Sequence, residues 1–154
     1  MLATPNLYAL VAGAGEGANA LNAFDAALLA AGIGNLNLVR VSSILPPGAG
    51  FQARLQVPPG SLLPVAYGSL TSDKPGDPIA AAVAVGRGDP EAFGVIVECS
   101  GHCSRQEIEA RVRGMIAEAF AVRGMPLHQV QTASIEWRVE RVGAVLAAVP
   151  LWYA

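Results

Sequence analysis

Apolar positions along the chain repeat with two periods. From Ala20 to Ala31 they are dense enough for a helix, with Asn19 placed to cap its start and Gly32 to stop it. From Ser104 to Arg123 the helical spacing is clearer. Ile108, Val112, Met115 and Ala119 share one face, Ser104 and Glu107 form a capping box, and Gly124 follows the last turn. Elsewhere the apolar runs are short and strand-like: Leu7 to Ala12, Leu36 to Ser42, Val65 to Thr71, Ile79 to Val85, Phe93 to Glu98, Ala133 to Val142 and Ala144 to Tyr153. The stretch GAGEGAN, Gly13 to Asn19, is expected to be a loop, and Pro46 to Pro64 breaks regular structure. Strands outnumber helices and the two helices lie far apart. The pattern predicts an α+β layered sandwich in a single domain spanning residues 1–154.

Composition sharpens this outline. Hydrophobic residues are 53% of the 154 and charged ones 14%, well below the roughly one quarter of an average domain. Such a chain coats an isolated monomer poorly, so an oligomer is expected. The most apolar windows, Ala26 to Ile33 and Val142 to Ala154, are shorter than the ~20 residues of a spanning helix. The first basic residue is Arg40, so no secretory n-region is expected and the location is expected to be cytoplasmic. A net charge of -2 with no basic cluster gives nucleic acid or anionic lipid little to bind. Two cysteines, Cys99 and Cys103, suit a reducing compartment.

Four features carry candidate chemistry. GAGEGA, Gly13 to Ala18, fits the dinucleotide fingerprint, but the following strand ends in Arg40-Val41-Ser42 without the acid that would hold a ribose. A tight turn is the simpler reading. CSGHC, Cys99 to Cys103, offers three soft ligands where a structural zinc needs four, so no metal site is expected. Asp25 lies four residues after Leu21 and three and four before Leu28 and Leu29, within the apolar stripe. There a carboxylate must find a cation or stay protonated, the cation being an arginine of this chain, such as Arg40, or a cationic ligand. Glu98 ends an apolar strand, where partial burial suits a general acid and a solvated strand end is the plainer account.

The stretch VRVSSILPP, Val39 to Pro47, puts two serines at the end of a strand and then stops pairing with two prolines. If the strand continues through Ser43, then Asn37, Val39, Val41 and Ser43 share one face. A polar strand end entering a turn would look the same.

The segments LNAFDAALLAAGIGNLNLVRVSSILPP (Leu21 to Pro47), PVAYG (Pro64 to Gly68), GVIVE (Gly94 to Glu98) and LWY near the C-terminus resemble the pyruvoyl-dependent arginine decarboxylase family. The resemblance covers essentially the whole chain. It implies a four-layer αββα sandwich and a trimer, or a dimer of trimers, with sites between subunits. It also implies self-cleavage between Ser42 and Ser43 into a beta chain, 1–42, and an alpha chain, 43–154. Ser43 would become the covalent pyruvoyl group, with Asn37 stabilising the oxyanion. Glu98 would be the proton donor. Asp25, Leu21, Phe24, Leu28, Gly34, Leu36 and Ser42 would bind the substrate L-arginine, which becomes agmatine, a polyamine precursor. A related pyruvoyl decarboxylase for another amino acid, or an uncut binding homologue, is the alternative.

Overall fold

Two strands with almost no polar residues organise the molecule. PIAAAVAVGR, Pro78–Arg87, is buried from Ile79 through Gly86, and GAVLAAVPLW, Gly143–Trp152, is buried from Gly143 through Leu151. A strand alternates its side chains, so burial along its whole length means that both faces are covered. The computed structural model describes all 154 residues. In chain order its elements are β1 (Leu7–Tyr8), β2 (Val11–Glu16), α1 (Ala20–Ala31), β3 (Asn37–Arg40), β4 (Ile44–Leu45), β5 (Gly50–Phe51), β6 (Leu62–Ser72), β7 (Pro78–Arg87), β8 (Gly94–Gly101), α2 (Arg105–Arg123), β9 (Gln129–Arg138) and β10 (Gly143–Trp152).

One sheet runs β3-β6-β10-β1-β5, with β2 pairing the first part of β10; the other runs β4-β8-β7-β9. Between them lie Tyr8, Leu45, Ala66, Val83, Val85, Ile96, Val145 and Val149. The opposite face of the first sheet, with Leu63, Val65 and Leu146, is covered by Ala23, Ala27, Leu28 and Ala31 of α1. The opposite face of the second, with Ala80, Ala82 and Ala84, is covered by Ile108, Val112, Ile116 and Phe120 of α2. The order is helix, sheet, sheet, helix, so the expected αββα sandwich is what the chain forms. Four layers also absorb much of the apolar composition without recourse to other subunits. What still points outward is a smaller set, including Leu21, Leu29, Val39, Ile44, Phe51 and Leu62.

Both helices begin and end where their caps predict. Asn19 accepts from the Asn22 N–H, Ser104 accepts from the Glu107 N–H, and Gly32 and Gly124 take the left-handed conformation at the C-termini. The buried face of α2 turns slightly from the expected one, with Ile116 and Phe120 inside and Met115 and Ala119 at its edge.

Three expectations need correction. The glycine stretch is not a loop: β2 continues through Glu16, pairing Gly13 to Glu16 with Leu146 to Gly143. Its glycines bring the strand against α1, since a Cβ on Gly13 would lie 2.5 Å from the Ala31 nitrogen and one on Gly15 2.5 Å from the Ala26 Cβ. The strand expected to run to Ser42 stops at Arg40, because the chain leaves the first sheet there. Finally, α1 buries Ala23, Ala27, Leu28 and Ala31 and turns Leu21, Asp25 and Leu29 outward, because the face that meets the glycines of β2 needs small side chains for so close an approach.

Candidate active site

The chain changes sheets at the two serines. β3 runs parallel to β6, and the Val41 N–H makes the last bond of that pairing, 3.0 Å to the Val65 carbonyl. Three residues later β4 is antiparallel to β8 in the other sheet, and the Ser43 carbonyl accepts from the Ile96 N–H at 2.8 Å. Between these anchors neither the Ser42 carbonyl nor the Ser43 N–H has a backbone partner. The Ser42–Ser43 peptide is therefore held at both sides and bonded at neither. Ser42 is exposed and Ser43 half-buried.

Glu98 stands on β8, two residues beyond Ile96. Ile96 points between the sheets while Val97 and Cys99 point to α2, so alternation turns Glu98 toward the first sheet. Gly68 of β6 gives it room: a Cβ there would lie 3.3 Å from the Cβ of Glu98. Burial pushes the Glu98 carboxyl above its usual range, and the nearby positive charge of Arg40 opposes that rise. Glu98 is half-buried, not a fully solvated strand end.

Arg40 is the residue that sequence reasoning missed here. Its Nη2 lies 3.9 Å from Glu98 Oε1 and donates to the Tyr67 carbonyl at 2.6 Å, while its Cζ stands 4.3 Å over the Tyr67 ring. Phe24 of α1 packs near the same ring at a tilted angle, with ring centroids 6.3 Å apart. A continuous row thus joins α1 to Glu98. The available signal was Arg40 itself, the first cation of the chain, two residues before Ser42.

The remaining candidates lie apart. Asp25 does share a stripe with Leu21 and Leu29, but the stripe faces outward: Leu21 is 76% exposed, Leu29 51%, and Asp25 is exposed between them. Neither Arg40 nor any other cation of the chain pairs with Asp25. Leu28 is buried under α1 and Phe24 is half-buried. Gly34 and Leu36 line a mainly apolar cavity of about 570 Å³, shared with Leu29, Arg54 and Leu55. Asn37 opens β3 and donates to the Gly60 carbonyl at 2.8 Å. At ~3.3 Å per residue it sits roughly 10 Å from Arg40, and the chain runs on from there toward Ser42.

The other motifs have structural explanations. Glu16, in the middle of GAGEGA, accepts from Trp137 Nε1 at 2.7 Å, from the Arg141 N–H at 2.8 Å and from the Glu140 N–H at 3.2 Å, clamping the β9–β10 turn. In CSGHC, Cys103 is buried, which pushes its thiol pKa up, and His102 turns instead to Asp77, 3.0 Å away. No helix is long and apolar enough to cross a membrane.

Residues 7–153 match the family model described as pyruvoyl-dependent arginine decarboxylase. Proteins carrying that name in Methanocaldococcus jannaschii, Methanococcus vannielii and Pyrococcus abyssi are 47%, 44% and 41% identical to this chain. Each alignment covers 97% of this chain and, in the same order, 91%, 92% and 96% of the relative.

Proposed function

The chain belongs to the pyruvoyl-dependent arginine decarboxylase family, and on that premise we propose that it converts L-arginine to agmatine and carbon dioxide in the cytoplasm, using a pyruvoyl group made from its own Ser43. The observation that carries the reading is the Ser42–Ser43 peptide at the sheet crossing, which has no ladder partner and is exposed on its Ser42 side. A bond with no ladder partners can be approached and cut without dismantling either sheet.

Maturation begins with the Ser43 hydroxyl attacking the Ser42 carbonyl carbon, which breaks the amide and forms an ester. Elimination then frees Ser42 as a carboxylate and leaves dehydroalanine at 43; water adds, ammonia departs, and a pyruvoyl group caps the 43–154 chain. The Ile96 N–H keeps the carbonyl of residue 43 in register throughout. The surroundings fit the product, since cutting frees two short ends anchored by Val41 and Ile44.

The pyruvoyl group supplies an electron-accepting carbonyl for decarboxylation. Glu98, facing the space between the sheets with a carboxyl that holds its proton unusually well, returns a proton to the substrate α-carbon. Asp25 takes the substrate guanidinium in two parallel hydrogen bonds, with Leu21, Phe24 and Leu28 beside its methylene chain and Gly34 and Leu36 as a further wall. Asn37, well up the strand from Ser42, serves the oxyanion from a neighbouring copy. That role, and the outward leucines beside Asp25, favour sites completed between subunits of a trimer or a dimer of trimers.

Intact mass spectrometry of the denatured protein tests the maturation. The expected result is two chains meeting at Ser42 and Ser43, the larger lighter by one ammonia than a serine-started fragment. A single uncut mass, with no carbonyl reactive toward phenylhydrazine, would favour a non-catalytic homologue. Turnover of arginine against lysine, ornithine and histidine tests the substrate, and equal rates would overturn the assignment to arginine.

A further inference from the structure

We propose that Arg40 is a positioning residue for the decarboxylation, a fixed positive charge that Tyr67 holds beside Glu98. The proposal rests on the reading of Glu98 as proton donor and adds a residue that acts through it.

The geometry begins with the strand that leaves. Once β3 peels away from β6 after Val41, the Tyr67 carbonyl loses the strand neighbour that a continuing pair would offer. The Arg40 guanidinium takes that place, donating Nη2 at 2.6 Å, with its Cζ 4.3 Å over the Tyr67 ring. The Arg40 side chain is 55% exposed, and a hydrogen bond and a cation–π contact, both made by Tyr67, restrict its rotamers. The pinned group stands 3.9 Å from Glu98, too far for a hydrogen bond and near enough for charge to act.

Arg40 is the only charged side chain in this position. The strands flanking β8 are β4, which is Ile44-Leu45, and β7, which sets Val83 opposite Glu98. α2 packs across the sheet, on the opposite face of β8, through the apolar side chains Ile108, Val112, Ile116 and Phe120. From the first sheet Gly68 faces Glu98, while the neighbouring Tyr67 packs on the side of α1. Cys99, next along β8, points to α2. Burial and Arg40 therefore oppose each other on one carboxyl. Burial favours the protonated acid, and Arg40 limits how far, so that the group can give its proton up and recover it from water.

The test is the pH profile of kcat for arginine decarboxylation by mature enzyme. With a protonated acid required, the alkaline limb reports the titration of Glu98. Removing the charge in Arg40→Met is expected to move that limb to higher pH, whereas Arg40→Lys, which keeps the charge without the stacked fork, is expected to move it less. Tyr67→Leu, which leaves Arg40 unpinned, is expected to shift the limb in the same direction as Arg40→Met. A loss of activity without movement of the limb would make Arg40 merely structural and overturn the proposal. Should Arg40→Met fail to self-cleave, carbon-13 titration of Glu98 in uncut Ser43→Ala protein, with and without Arg40→Met, reads the same coupling. Coincident titrations there would also overturn it. The underlying reading fails separately: Glu98→Gln with wild-type kcat would remove Glu98 as donor whatever Arg40 does.

Discussion

Glu16→Gln isolates a clamp that resembled a nucleotide motif in the sequence. The carboxylate collects Trp137 Nε1 and the Glu140 N–H on one oxygen and the Arg141 N–H on the other. Gly143 lies against it with no space for a Cβ. Glutamine presents one acceptor oxygen and an NH2, so at least one donor must turn to water or face another donor. A hydrogen bond to a charged group contributes ~1.5–3 kcal/mol, and half-exposure brings each of these toward the lower end. Glu16→Gln is thus expected to cost about 1–2 kcal/mol and Glu16→Ala about 3 kcal/mol. For a chain of this length each kcal/mol lowers Tm by about 2–4 °C. Burial would raise the Glu16 carboxyl pKa, but the Trp137 indole and the turn N–H groups outweigh it and hold the group below its ordinary value. A depressed folded pKa contributes stability above the unfolded value of 4.5, lost as pH falls through the folded one. Thermal melts by circular dichroism from pH 7 to pH 3 should therefore show a gap between wild type and Glu16→Gln that is full at neutral pH and closes below about 4.5. A gap that stays constant with pH, or none at pH 7, would refute the clamp.

Other expectations follow from the same geometry. Gly15→Ala places a methyl against Ala26 of α1 and should cost ~1–3 kcal/mol by overpacking, read as a lower midpoint in urea. Asp25→Ala should still self-cleave, with its KM for arginine raised roughly 10- to 100-fold through loss of a charge-assisted pair; an unchanged KM would remove Asp25 from the site. Asn37→Ala should stay uncut alone and be cut when co-expressed with Ser43→Ala, each copy supplying what the other lacks. Absence of cutting in the mixture, with mixed oligomers present by mass, would place Asn37 outside the neighbour's site. Leu21→Glu with Leu29→Glu should shift the protein to a smaller species by light scattering, since an exposed apolar stripe is exchanged for charge.

The elements themselves were legible in the chain because their signals are local. Asn19, Gly32, Ser104 and Gly124 act within one turn of the backbone they cap, and the buried strands β7 and β10 announce themselves by having almost no polar residue. The family resemblance was legible for the same reason, being carried by contiguous stretches such as Leu21 to Pro47. Which face of α1 is buried was not. Leucine carries more apolar surface than alanine, but the glycines of β2 bring strand and helix so close that the contact face is mostly alanine, and of the three leucines only Leu28 is buried while Leu21 and Leu29 are left outside. Pairings across the fold were equally hidden: Glu16 with Trp137 and Arg40 with Glu98 join residues 121 and 58 positions apart, and nothing in either neighbourhood names the partner. The two serines read as an odd strand end. Their meaning depends on a change of sheet, because a strand that leaves β6 for β8 must carry one peptide through the gap without a ladder on either side, and that peptide joins Ser42 to Ser43.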